Sequence, residues 1–317
     1  MKQTPTPRTS ASASDEPQAG GGFGAWLYNQ PYLLLTLTAL AWGGNAVVGR
    51  AAPGEVSPAV LTLGRWGIAT LICATLFRHH LKAEWPMIRK VGWIPLALGA
   101  VGYAGFNFFL YSGLVHMPAT NAAILQSGIP LLIFIMNFVI FRQAVRLVEV
   151  VGFSISLVGV AVVVTRGDPL SLLGTPLGLG ELFMAGAAFT YAAYTLGLKY
   201  KPALGWQTFL TLAIAGAAVA SILLVLEEGA RGANTWPGTG LAWLLVAYAA
   251  VVPSILAQGF YIRGVEVVGP NRAGLFINLV PLFTALLAVV LIGEQLQLYH
   301  GIAMVLVIGG VTLAQKK

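Results

Sequence analysis

Tyr103, Asn107 and Tyr111 stand one helical turn apart in an otherwise apolar stretch. Residues four apart share a helix face, so these three would present a phenol, an amide and a second phenol in a row. Similar stripes recur along the chain. Thr120, Ala123, Ser127 and Pro130 mark one run, and Asn271, Gly274, Asn278 and Pro281 mark another. Ser254 and Gln258 share a third, while Trp42 with Asn45 and Tyr191 with Tyr194 occupy two more. Such groups exchange hydrogen bonds and offer aromatic faces, which suits reversible binding of a small polar molecule. The candidate substrate-binding set is therefore Trp42, Asn45, Tyr103, Asn107, Tyr111, Ser127, Tyr191, Tyr194, Gln258 and Asn278. Pro130 and Pro281 are candidate hinges, because a mid-helix proline removes a backbone hydrogen bond and bends the helix.

Catalytic groupings are scarce. Of the four histidines, His79 and His80 form an adjacent pair in a basic loop with only Glu84 nearby, and His116 and His300 stand apart. No Gly-x-Ser-x-Gly elbow and no phosphate-binding glycine loop occurs, so hydrolysis and direct ATP drive are not expected. Cys73 is the only cysteine, which excludes an intramolecular disulfide and a cysteine-based metal cluster. No metal or cofactor is called for. Glu149, Glu181 and Glu294 fall near the ends of apolar runs, where snorkelling or pairing with loop lysines and arginines is expected. With no carboxylate at mid-depth, the set suits neutral or zwitterionic ligands rather than cations. Arg65 is the exception, about eight residues into its run, or roughly 12 Å at 1.5 Å per residue. It could hold a substrate carboxylate, but snorkelling or bonding to backbone carbonyls is the expected use.

The elements that must position these groups are membrane helices. Hydrophobic residues make up 57% of 317 residues and charged residues only 9%. A soluble domain carries about a quarter charged residues, so lipid must be the solvent for much of this chain. Apolar runs of roughly 20 residues, the length of one crossing, fall at 32–50, 57–77, 91–114, 119–141 and 147–165. They resume at 177–198, 205–226, 241–263, 270–292 and 298–314. The expected fold is all-α and integral to the membrane, with ten transmembrane helices. Of the 18 Lys and Arg, fourteen fall on the side of the N-terminus, three (Arg50, Arg166 and Arg231) on the other, and Arg65 within a run. This asymmetry puts both termini in the cytoplasm. The net charge of +7 thus reads as topology rather than as a nucleic-acid surface, and no nucleic-acid partner is expected. Residues 1–30 are rich in small and polar residues and read as a disordered cytoplasmic tail, not a secretory signal.

An internal repeat follows. A shift of 151 residues sets Gly113 on Gly264, Ala122 on Ala273, Pro130 on Pro281, Asn107 on Gln258 and Ser127 on Asn278. A shift of 149 sets Trp42 on Tyr191 and Asn45 on Tyr194. Each half, 31–165 and 176–315, holds five helices, an odd number, so the two are expected to enter the membrane with opposite orientation. Inverted repeats of this kind characterise secondary transporters, with the substrate near the midplane between halves.

The chain resembles the drug/metabolite transporter superfamily, in particular its ten-helix EamA-type exporters. The resemblance rests on Leu40-Ala41-Trp42-Gly43-Gly44-Asn45 through Arg50, on Arg65-Trp66, on Gly180-Glu181, on Gly293-Glu294 and on the glycine-rich last run. Those motifs span residues 31 to 315, and their order and spacing are more specific than any one of them. One position departs: the end of the fourth run usually carries Gly-Glu, and here it reads Arg142-Gln143. The resemblance implies export of amino acids or other small metabolites across a bacterial inner membrane, with the lipid bilayer and a small-molecule substrate as partners. It leaves the substrate, the coupling ion and the oligomeric state open, and a monomer is compatible with it. A passive channel and a membrane-embedded enzyme are the competing readings.

Overall fold

The computed structural model describes residues 23–142, 147–168 and 177–314. Among them all regular structure is helical. A short helix α1 (Phe23–Tyr28) precedes α2 (Pro31–Ala51) and α3 (Pro58–Leu76). Two short helices, α4 (Arg78–Ala83) and α5 (Trp85–Val91), lead to α6 (Trp93–Gly99), which continues through a π-helical stretch (Ala100–Gly105) into α7 (Phe106–His116). Then come α8 (Ala119–Gln126), α9 (Ile129–Phe141) and α10 (Leu147–Val164). After them follow α11 (Leu179–Gly197), α12 (Trp206–Ala230) and α13 (Gly240–Val251), the last running through a second π-helical stretch (Val252–Leu256) into α14 (Ala257–Val268). The chain closes with α15 (Pro270–Ile277), α16 (Val280–Ile292) and α17 (Leu298–Ala314).

Seven helical stretches among the described residues are long and apolar enough to cross a membrane: Pro31–Ala51, Pro58–Leu76, Trp93–His116, Ala119–Ile140, Leu147–Val164, Trp206–Ala230 and Gly240–Val268. The three other runs expected to cross are shorter or more polar. α11 carries Glu181, two threonines and two tyrosines in 19 residues, the run from 270 is broken after Ile277, and α17 has 17 residues. Large apolar side chains such as Leu71, Leu157, Leu223, Val290 and Val305 are exposed on the outer faces, as lipid-facing residues of a multi-pass protein should be.

Helix ends meet in a consistent way. At the end of the bundle where α2 begins, here the near end, Glu84 accepts from the Gly205 N–H ahead of α12, at 2.9 and 3.2 Å. At the far end, Glu228 of α12 accepts from Ser57 Oγ at 2.5 Å and from the Ala59 N–H at 3.4 Å, capping α3. Glu294 follows α16 and accepts from Ala119 N (2.6 Å), Thr120 N (3.1 Å) and Thr120 Oγ1 (2.8 Å). Both oxygens thus satisfy the free N–H groups opening α8, where the helix dipole also favours a negative charge. This corrects the expectation that Glu294 snorkels or pairs with a loop cation. His300 of α17 adds a 2.8 Å bond to Asn121 of α8.

Two other expectations change. The segment 23–28, assigned to the tail, forms α1, whose Tyr28 ring lies 4.0 Å from the Arg263 guanidinium carbon. Its apolar Trp26, Leu27 and Tyr28 give this piece a surface to pack, which residues 1–22 were expected to lack. Those residues lie outside the described ones, as do Gln143 and Arg146. Pro130 and Pro281 do not bend continuous helices. Each sits in the first turn of a new one, after breaks at Ser127–Gly128 and Asn278–Leu279, where its missing N–H costs nothing.

The boundaries of α8 and α9, moved by 151, are those of α15 and α16. The π-helical stretches also fall at matching positions.

The packing of these matched pieces differs. α8 packs on α16 in the far half, whereas α9 packs on α11, and α15 packs on α2 and α14. The largest buried cluster, around Leu61, Leu110, Tyr111, Leu114 and Val246, also lies in the far half. Ala123 of α8 is wholly buried, while at its counterpart Gly274 of α15 an added Cβ would meet no atom of the described residues within 4 Å.

Candidate binding site

The side chains that meet at the centre of the bundle come from four elements. Arg65 of α3 is 95% buried, its exposure being 5%. Its Nε donates to Ser254 Oγ at 2.7 Å. Its Nη1 donates to Asn45 Oδ1 and Asn107 Oδ1, both at 2.7 Å, and to Tyr111 Oη at 2.8 Å. The Tyr111 hydroxyl donates to Asn45 Oδ1 at 2.8 Å, and Asn107 Nδ2 donates to the Tyr103 carbonyl at 2.8 Å. Ser254 donates to the Ala249 carbonyl five residues back, which the π-helical turn makes available.

Each partner reaches this point for a local reason. Asn45 follows Gly43 and Gly44, where a Cβ would lie 2.9 Å from the Thr284 nitrogen and 2.1 Å from the Tyr248 oxygen, so glycine lets α2 sit close to α16 and α13. Asn107 and Tyr111 are four apart on α7 and so face α3 together. The whole arrangement is neutral except for the guanidinium.

An aromatic platform borders it. The Arg65 guanidinium carbon lies 4.5 Å from the centre of the Trp66 ring. Trp66 stacks on Tyr103 at 5.1 Å, Tyr103 meets Tyr194 at 5.3 Å, and their hydroxyls lie 3.2 Å apart. Tyr191 touches Tyr194 at 6.0 Å and Phe106 at 5.3 Å. One turn before Asn45, Trp42 donates to the Pro253 carbonyl at 3.2 Å and lies 5.4 Å from the Tyr261 ring.

Seven of the ten residues selected by type and spacing therefore fall at or beside the cluster: Asn45, Asn107 and Tyr111 within it, Trp42, Tyr103, Tyr191 and Tyr194 around it. The other three do not reach it. Ser127 bonds back to the Ala123 carbonyl at 3.0 Å, and Asn278 faces Thr312 of α17 at 3.5 Å. Gln258 is half-buried on α14, without a hydrogen bond to the cluster. Asn271 has a side chain outside the described residues. Arg65 is the hub that spacing did not single out. It bonds to side-chain oxygens of other helices, neither snorkelling nor using backbone carbonyls, and its depth in an apolar run was the available signal. A separate cavity of about 480 Å³ lies at the far ends of α10 and α17, lined by Val158, Val162, Arg166, Tyr299 and Ile302, and contains none of the selected residues.

Similarity to known proteins is extensive. The model of the EamA-like transporter family matches residues 29–165 and 178–315. The uncharacterized transporter YyaM of Bacillus subtilis is 25% identical over 289 residues, covering 89% of this chain and 92% of that one. The aromatic amino acid exporter YddG of Ancylobacter novellus is 24% identical over 296 residues, covering 89% and 96%. A solved crystal structure shares the fold with a TM-score of 0.59 at 22% identity, over 90% of this chain and 96% of the other.

Proposed function

The chain belongs to the EamA-like transporter family, and we propose that it is a secondary transporter that exports small neutral or zwitterionic metabolites, amino acids foremost, by alternating access. In this reading ten helices form two inverted five-helix halves, residues 31–165 and 176–315, in a bacterial inner membrane with both termini in the cytoplasm. The substrate sits at the cluster of Asn45, Arg65, Asn107, Tyr111 and Ser254 and the tyrosines beside it.

The observation that carries the proposal is the unequal packing of matched half-helices on either side of that cluster. α8 and α16 pack together in the far half, where Glu294 bonds to the start of α8, while α9 and α15, which the 151-residue register makes their counterparts, show no comparable packing among the described residues. A protein with two pseudo-equivalent halves can exchange these roles at little cost in energy, which is what alternating access requires. The breaks before Pro130 and Pro281 divide both helices where the two ends would move independently. One relative is named an aromatic amino acid exporter, which supports amino acids as cargo and export as direction.

Counterflow tests the proposal. Proteoliposomes loaded with an unlabelled amino acid should transiently accumulate the labelled form against its gradient. A passive channel gives no such overshoot, and equilibration without overshoot across an amino-acid and metabolite panel would sink alternating access.

A further inference from the structure

Arg65 is held in a way that leaves part of its charge unanswered. A guanidinium has five N–H donors and does not lose its proton. Three of the five are used, on four neutral oxygens, and Nη2 has no hydrogen-bond partner among the described residues. None of the described carboxylates lies within ion-pair distance of it; the acidic side chains bound elsewhere, Glu84, Glu228 and Glu294 among them, serve helix ends. The indole Nε1 of Trp66, next in the chain and under the guanidinium, is buried with no partner among the described residues. Buried donors are nearly always satisfied, and a buried charge without a counter-ion is costly. Arg50 shows the structural solution available to this fold: its Nη1 donates to the Leu114 and Val115 carbonyls at 2.9 and 3.2 Å. Arg65 does not use it.

From this surplus of donors we infer that Arg65 is the substrate's carboxylate-binding residue, with Nη2 as the free arm and Asn45, Asn107, Tyr111 and Ser254 holding the guanidinium in position. The inference rests on the transporter reading and names its substrate class: small molecules with a carboxylate attached to an apolar or aromatic body. The carboxylate supplies the missing counter-ion in a charge-assisted hydrogen bond. Trp66 and Tyr103, stacked, and Tyr194, tilted against Tyr103, lead outward from the guanidinium and give the body of the molecule an aromatic surface. With no described carboxylate paired to the guanidinium, its charge is left for the substrate's own.

Equilibrium binding to the purified full-length protein, read by isothermal calorimetry, tests this without relying on a variant. The probes are L-phenylalanine, L-leucine and their amides, which keep the side chain and the ammonium but lose the anion. The acids should bind about tenfold or more tightly than the amides. Arg65→Lys should keep that preference at lower affinity, and Arg65→Gln should abolish it. Equal binding of acids and amides by the unaltered protein, or no binding of any of the four, overturns the inference. Acid-selective binding without counterflow would keep the anchor and sink the transporter reading. Counterflow without acid selectivity would do the reverse.

Discussion

Glu294 and Arg65 show how little a residue's type says about its use until its neighbours are known. Both are charged residues attached to apolar helices; Glu294 was expected to snorkel or pair with a loop cation, and Arg65 to snorkel or bond to backbone carbonyls. Glu294 instead accepts three hydrogen bonds from the first residues of α8. Arg65 gathers four neutral oxygens from three other elements. The difference is in what the surroundings lacked: α8 opens with N–H groups that need acceptors, whereas the amides and hydroxyls around Arg65 had oxygens to offer. Glu294→Gln tests the first half of this statement. The amide keeps one acceptor oxygen but turns an NH2 toward backbone N–H groups and loses the charge facing the helix dipole. The variant should be destabilised by about 1–3 kcal/mol, the cost of losing a charged acceptor, seen as a lower thermal midpoint in detergent. An unchanged midpoint would mean that α8 is capped well enough without it.

At the scale of elements, the helices carry their own punctuation. Prolines open α9 and α16, π-helical turns interrupt the spans through Ala100–Gly105 and Val252–Leu256, and the C-caps Arg142 and Gly293 both adopt left-handed backbone at φ of 51° and 68°. Arg142 occupies a place where glycine carries no steric penalty, so the departure from the family pattern is a substitution at a special backbone position and not merely a change of charge. Helix contacts are set by glycine as well. α10 and α17 cross so closely that a Cβ at Gly310 would lie 2.4 Å from the Gly152 carbonyl oxygen, while at Gly309, one residue earlier, it would meet no atom of the described residues within 4 Å. Gly310→Ala should therefore cost about 1–3 kcal/mol by forcing the helices apart, and Gly309→Ala should leave the thermal midpoint unchanged or slightly higher. Equal effects at the two positions would show that α10 and α17 adjust freely. Nothing in a sequence rich in glycine distinguishes these neighbours, because which glycine faces a helix is decided by rotation about the helix axis.

For the molecule as a whole, the asymmetry between the two ends makes an accessibility prediction. With Cys73 replaced by Ser, a cysteine at Gly274 should react readily with a small maleimide and one at Ala123 should not. Saturating amounts of an amino acid that supports counterflow should narrow the difference. Equal labelling of both, with or without that amino acid, would contradict a far end closed and a near end open. Hydropathy made the membrane helices legible from the sequence, because lipid leaves the backbone few alternatives. The 151-residue register was legible too, since it is written in residue order, but the breaks before Pro130 and Pro281 were not, because the apolar runs continue through them. Asn45, Asn107 and Tyr111 could be selected by helical spacing, but so could Ser127, Gln258 and Asn278, which the fold leaves outside the cluster. Only the tertiary structure decided which stripes meet, that Arg65 is their hub, and which half-helices pack together. These depend on how helices rotate and cross, and one-dimensional periodicity gives each helix a polar face without saying which other face it will meet.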